Sequence, residues 1–177
     1  MLLKPLRLVA FIALLAFATG CSRNKEATID PSAMPELTQE MIAQTHATLD
    51  GRWALDHEAT LSRLSSAKRG IASAYLGGLT AGIVFSPDGT WVQTVARNSG
   101  VTLTQGTYTI EASDGDAILV RLIPEGEETG PRRDIFVEGK DVLRFSIDGH
   151  SANSEGDPFR RVSEEAFDAQ MRTITER

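Results

Sequence analysis

Leu49-Asp50-Gly51-Arg52-Trp53-Ala54-Leu55-Asp56 is the stretch on which the reading of the fold turns. Trp53 and Leu55 alternate with Arg52, Ala54 and Asp56. A period of two places alternate side chains on opposite faces, so this is a half-buried strand. Asp50-Gly51 before it is a turn signal that ends the preceding element.

That preceding element is helical. Leu37, Met41 and Ile42 fall at helical spacing from Glu36 onward, and Leu49 extends the stripe. Glu36 and Glu40 stand near the N-terminal end, where the helix dipole favours acids. His46 on this helix reads as a surface or packing residue. Further back, Ser22 to Pro35 is polar, carries Pro31 and Pro35, and has no apolar period, so it reads as a linker.

A second helical pattern runs on the other side of the strand, from His57 to about Tyr75. Leu61, Leu64, Ala67 or Lys68, Ile71 and Tyr75 recur every three or four residues. Gly70 weakens the middle, and Gly77-Gly78 stops the helix. Asp56-His57-Glu58 reads as a helix start rather than a metal site, because adjacent side chains diverge.

From Leu79 the chain becomes strands and turns. Ile83-Val84-Phe85 leads into Ser86-Pro87-Asp88-Gly89, and Thr90 to Ala96 returns, a hairpin by its turn chemistry. Asn98-Ser99-Gly100 turns next. Tyr108 and Ile110 alternate with Thr107, Thr109 and Glu111. Ser113-Asp114-Gly115-Asp116 turns again. Ile118, Val120 and Leu122 share one face. Ile135 and Val137 come next, then Leu143, Phe145 and Ile147, and Phe159 to Val162 closes the series. Short strands with close turns describe an antiparallel meander, and closure would remove its edges. Asp-Gly at 114–115 and 148–149 is turn chemistry, since neither segment supplies the further ligands of a calcium loop. His150 reads as a surface residue. Ser163 to about Thr175 is a C-terminal helix: Ser163 caps it, Glu164 and Glu165 begin it, and Phe167, Met171 and Ile174 form one apolar stripe. It is expected to pack on the sheet, with partner docking as the alternative.

The Gly51-x-Trp53 start resembles the first strand of lipocalin-like proteins. An acidic helix start at Asp56–Thr60, Phe85-Ser86-Pro87-Asp88-Gly89-Thr90, Gly106-Thr107-Tyr108 and Arg161-Val162 succeed it in the order seen in small bacterial lipocalin-like domains. The resemblance spans roughly residues 49–162. It implies a mainly β fold with flanking helices: a small antiparallel lipocalin-like barrel or strongly curved meander sheet, a helix inserted after the first strand and a C-terminal helix. It also implies that Trp53 closes one end of the barrel, with Arg161 or Arg160 stacked on its ring. The helix between the first two strands departs from true lipocalins.

At the N-terminus, Lys4 and Arg7 precede an unbroken apolar run from Leu8 to Ala18. A membrane-spanning helix needs about 20 apolar residues. This run is shorter and matches a signal-peptide core. It ends in Ala18-Thr19-Gly20-Cys21-Ser22, and Cys21 is the single cysteine. The stretch resembles the lipobox of bacterial lipoproteins, with Ala18 where Leu is most common. That resemblance implies a signal peptide at 1–20, a lipidated tether at 21–35 beginning with acylated Cys21, and a domain at 36–177. Ser22, in place of Asp, points to the outer membrane and its periplasmic face. The competing reading is an ordinary cleaved signal with an incidental thiol at Cys21. No intramolecular disulfide is available to a chain with one cysteine.

Loss of the leader removes Lys4 and Arg7, leaving 16 Lys and Arg against 24 Asp and Glu, a net charge of −8. This disfavours nucleic acid and anionic headgroups as partners. No nucleophile elbow, zinc-binding His pair or phosphate loop is present. We therefore assign no catalytic residue, no metal ligand and no cofactor. The leading expectation is a non-enzymatic lipid-anchored envelope protein that binds another protein or a small ligand at the membrane surface. Its partners would be the membrane, through acylated Cys21, and an envelope protein or hydrophobic ligand. A carrier of a hydrophobic molecule in the barrel interior predicts an apolar cavity. A periplasmic hydrolase predicts a cleft with close carboxylates.

Overall fold

The period-two alternation is realised in eight strands: β1 (Gly51–Leu55), β2 (Leu79–Phe85), β3 (Thr90–Arg97), β4 (Gly100–Ser113), β5 (Ala117–Pro124), β6 (Arg132–Val137), β7 (Val142–Phe145) and β8 (Asp157–Val162). This is a computed structural model, and it describes residues 29–97, 99–146 and 156–175. Each strand pairs antiparallel with the next. β8 returns to β1 in the register Arg52–Val162 to Leu55–Phe159, so the sheet closes into a barrel. Closure removes the two edges that an open eight-stranded meander would expose. Of the two forms expected, a small lipocalin-like barrel or a strongly curved meander sheet, the chain adopts the barrel.

The inward faces are mostly apolar, with Gln93 of β3 a buried polar exception. Trp53 and Leu55, Ile83 and Phe85, Trp91 and Val95, Tyr108, Ile118 to Leu122 in alternation, Ile135, Leu143 and Phe159 form one buried cluster with side chains from all eight strands. Phe145 stacks on Phe159 at 4.1 Å between centroids, and Phe85 meets Tyr108 edge to face at 5.1 Å. Each fully buried side chain of this size contributes about 1.5–3 kcal/mol of transfer free energy. A bulge between Ile110 and Ala112 bends β4 as it passes from β3 to β5.

Four α-helices flank the barrel among the described residues. α1 (Gln39–Leu49) precedes β1; it starts at Thr38, whose hydroxyl accepts from Met41 N at 3.2 Å. The apolar pattern points to a start at Glu36; the Thr38 cap moves it inward. The single helix expected over His57–Tyr75 is two: α2 (His57–Ser62) and α3 (Ser66–Leu76). Ser65 in an extended conformation breaks them, and both halves keep the apolar stripe that made them look continuous. Leu64 and Leu76 are buried. The described part of the linker contains a 3-10 turn at Pro31–Ala33, capped by Asp30.

α4 (Glu164–Thr175) lies against β1 and β2 outside the barrel. Ser163 Oγ accepts from Ala166 N at 3.2 Å, the expected cap. Phe167 is buried on Gly82; a Cβ at Gly82 would lie 2.5 Å from the Phe167 ring. The glycine is therefore the seat of the helix on the sheet.

Candidate functional site

The β1–β8 seam gathers Trp53, Arg160 and Arg161, three residues singled out by the sequence. Trp53 is 1% exposed, and its Nε1 donates to the Leu49 carbonyl at 2.8 Å. The Arg161 guanidinium lies over the Trp53 ring, 4.3 Å from Cζ to the centroid. It also donates to the carbonyl of Thr48 at 2.9 Å and to that of Asp50. These carbonyls end α1, where no helical N–H remains to bond them. A cation is also favoured there by the helix dipole. Arg161 thus joins the last strand, the first strand and the leading helix.

Gly51 explains the first letter of the Gly-x-Trp signature. Its φ is +134°, and a Cβ would lie 2.6 Å from Arg161 Nη1. Arg160 does not share the role: it points outward and pairs with Asp56 at 2.8 Å. Asp56 caps α2 by accepting from Ala59 N at 2.9 Å. Burial works to raise the Asp56 pKa, but the Ala59 N–H and the Arg160 guanidinium hold it below the usual carboxylate range.

α1 is fastened to the barrel at two further points. Thr45 Oγ1 donates to Ser113 Oγ at 3.0 Å in the interior. His46 Nδ1 sits 2.7 Å from the Tyr108 hydroxyl, which donates to the Ser86 carbonyl at 3.2 Å. With the phenol proton on Ser86, the Nδ1–H tautomer of His46 completes the chain. Burial, with smaller effects from Asp50 and Asp88, pushes the Tyr108 phenol up to about 12. His46 is accordingly a packing residue with one polar bond.

Two partly buried carboxylates are each tied to a pair of arginines. Glu111 meets Arg121 at 2.6 Å and Arg132 at 2.5 Å. Glu138, near β7, meets Arg63 from the end of α2 at 2.5 Å and Arg144 at 2.7 Å. The Arg63 bond is the chief reason that Glu138 titrates below the usual range; burial opposes it and Arg144 adds to it. Such pairs are staples between elements. Among the described residues no group of three or more His, Cys, Asp or Glu is placed to hold a metal ion.

A concave feature lies on the outer face. An open groove of about 540 Å³ runs across β3, β4 and the end of β5, lined by Thr90, Val92, Gln105, Thr107, Ile123 and Glu125 among others. Gln105 Nε2 donates to Glu125 Oε2 at 2.6 Å along one side. Glu127 also lines it. Strand alternation gave the outer face of each strand separately, but no sequence signal announced which outer residues become neighbours.

Cys21, the leader and the Asp148–His150 turn lie outside the described residues, as does Ile147. Among the described residues no helix is long and apolar enough to cross a membrane. No family model, curated protein or solved structure matches the chain.

Proposed function

We propose that this is a lipid-anchored envelope protein with a non-enzymatic binding role exercised by the outer face of its barrel. The observation that carries the reading is the contrast between an inside lined by one buried apolar cluster and a grooved outside. The inward side chains of all eight strands, with Leu49 of α1 and Leu76 of α3, form one buried cluster. The groove across β3 to β5 has an apolar and hydroxyl floor, with Glu125 and Glu127 beside it. An extended polypeptide segment carrying Lys or Arg suits that chemistry, and an envelope protein is the class of partner. Anchoring rests on the Ala18-Thr19-Gly20-Cys21 signature: acyl chains on Cys21 would hold the domain at the membrane surface.

The test is a photoreactive amino acid at Thr107, inside the groove, in cells expressing the full chain. A discrete adduct with another envelope polypeptide, absent when the probe is at Asp114 in the β4–β5 turn, supports the reading. A probe at Thr107 that captures only lipid or nothing counts against it. Recovery of an unmodified Cys21 peptide from the mature protein would remove the anchor.

A further inference from the structure

The barrel is closed, yet one of its strands keeps a free edge. β4 is 14 residues long and pairs with β3 over Gly100–Thr107, but with β5 only from Gly106 onward. The β3–β4 hairpin therefore runs past the end of β5. Among the described residues, 100–104 have a neighbour on the β3 side and no strand on the other.

The direction of the backbone groups follows from two bonds. Gln105 O accepts from Glu125 N on the β5 side at 2.8 Å, and Tyr108 N donates to Gly89 O on the β3 side at 2.7 Å. Backbone groups of successive residues alternate in side along a strand. Leu103 and Val101 therefore share the side of Gln105, and their N–H and C=O groups face outward from the edge. Their side chains are the exposed ones: Val101 is 48% and Leu103 62% exposed, two of three large apolar residues so placed among the described residues. An edge of this kind, with Val, Thr and Leu and no Lys, Pro or bulge, is a template for another strand.

We propose that the Gly100–Thr104 edge pairs with the same edge of a second copy of this chain, antiparallel about a twofold axis at Thr102. Charge argues for a second copy. From Ser99 to Thr109 the strand holds no charged residue, although the chain carries a net charge of −6, so two copies meet there without like-charge contact. The pairing also brings the hairpin tip of each copy, with exposed Arg97, toward the exposed Glu125–Glu127 turn of the other. That attraction recurs at both ends.

The register is fixed by the backbone. Only Val101 and Leu103 present outward groups, so both are used when Val101 of one copy opposes Leu103 of the other. Thr102 then opposes itself in a non-hydrogen-bonded pair, where Cα atoms stand about 4.5 Å apart. The added strand ends where Glu125 occupies the position beside Gln105. A five-residue pairing with four backbone bonds is the result.

The test is disulfide trapping of the purified mature protein under mild oxidation, read on non-reducing gels. The distance at the axis lies within disulfide range. Thr102→Cys should give a dimer of twice the chain mass. Thr109→Cys, exposed on the part of β4 already paired with β5, should stay monomeric, as should the wild type. Adding Leu103→Pro to Thr102→Cys should abolish the dimer, because it removes an edge donor and no donor to β3. If that variant melts with lost cooperativity, Leu103→Lys serves instead, since a charge on the edge opposes pairing. The proposal is overturned by a monomeric Thr102→Cys protein, by equal trapping at Thr109, or by trapping that survives both Leu103 changes. A wild-type disulfide dimer would report a free Cys21 and is read separately from the Thr102 band.

Discussion

Removing the Arg161 side chain isolates the closure of the barrel. Arg161→Ala loses the stacking on Trp53, worth about 0.5–2 kcal/mol. It also loses two bonds from a charged donor to the carbonyls of Thr48 and Asp50, each worth about 1.5–3 kcal/mol when well buried. The side chain is 33% exposed, so water replaces part of that. A total of about 2–4 kcal/mol follows once that replacement is allowed for. At about 2–4 °C per kcal/mol for a domain of this size, thermal unfolding should fall by roughly 4–16 °C. The neighbouring Arg160→Ala removes a single ion pair with Asp56, and its side chain is 61% exposed. Exposed pairs are worth about 0–1 kcal/mol, so its midpoint should hardly move. Arg161→Lys keeps the charge but not the planar two-armed donor, and should recover less than half of the loss. The assay is thermal unfolding by circular dichroism on all three variants. Hydrogen exchange should show α1 amides opening first in Arg161→Ala. Equal shifts for Arg160→Ala and Arg161→Ala, or no shift for the latter, would mean that Arg161 does not join α1, β1 and β8 in the way its contacts imply.

Trp53→Ala should cost about 3–5 kcal/mol, because it empties a fully buried site and leaves Arg161 without its platform; calorimetry of the purified protein checks it. Gly82→Ala inserts a methyl under Phe167 and should loosen α4, lowering stability by about 1–3 kcal/mol and speeding proteolysis within 164–175. Tyr108 titrates higher in the folded protein, at about 12, than in the unfolded chain. Its contribution is present below the unfolded value and is lost as pH rises toward 12. Melting temperature should therefore fall on the alkaline side, less steeply in Tyr108→Phe. Asp56 and Glu138 have lowered folded values, so their contributions are present above the unfolded carboxylate range and are lost as pH falls through the folded values. Arg63→Ala should flatten that acid limb in a pH series of melts.

The strands were legible in the sequence because their inward positions are apolar and their turns use Asp-Gly and Pro-Asp-Gly chemistry. Trp53 and Arg161 were legible for a different reason: a Gly-x-Trp start and a late arginine form a pattern that a barrel closing on itself brings together. The choice between Arg160 and Arg161 was not legible, because it depends on which of two adjacent residues faces the ring across the β1–β8 register. The α2–α3 break was hidden because the apolar stripe continues through it, and Ser65 acts through its extended backbone rather than through an unusual residue type. The groove and the free edge of β4 were hidden as well. They arise from the stagger between β3, β4 and β5, a property of three strands at once. Local alternation around Val101 and Leu103 looks like any other hairpin until the end of β5 is placed at Pro124.

The proposed role requires a barrel whose interior is filled by its own side chains and whose binding surface is outside. Native mass spectrometry of the mature protein, released from detergent in the gas phase, tests that requirement without intermediate assumptions. The expected native spectrum holds only the chain from Cys21 plus its covalent acyl groups, as monomer or dimer, and denaturation leaves the monomer at that same mass. A stoichiometric small molecule that is present in the native spectrum and lost on denaturation would contradict it and return the interior to the centre of the function.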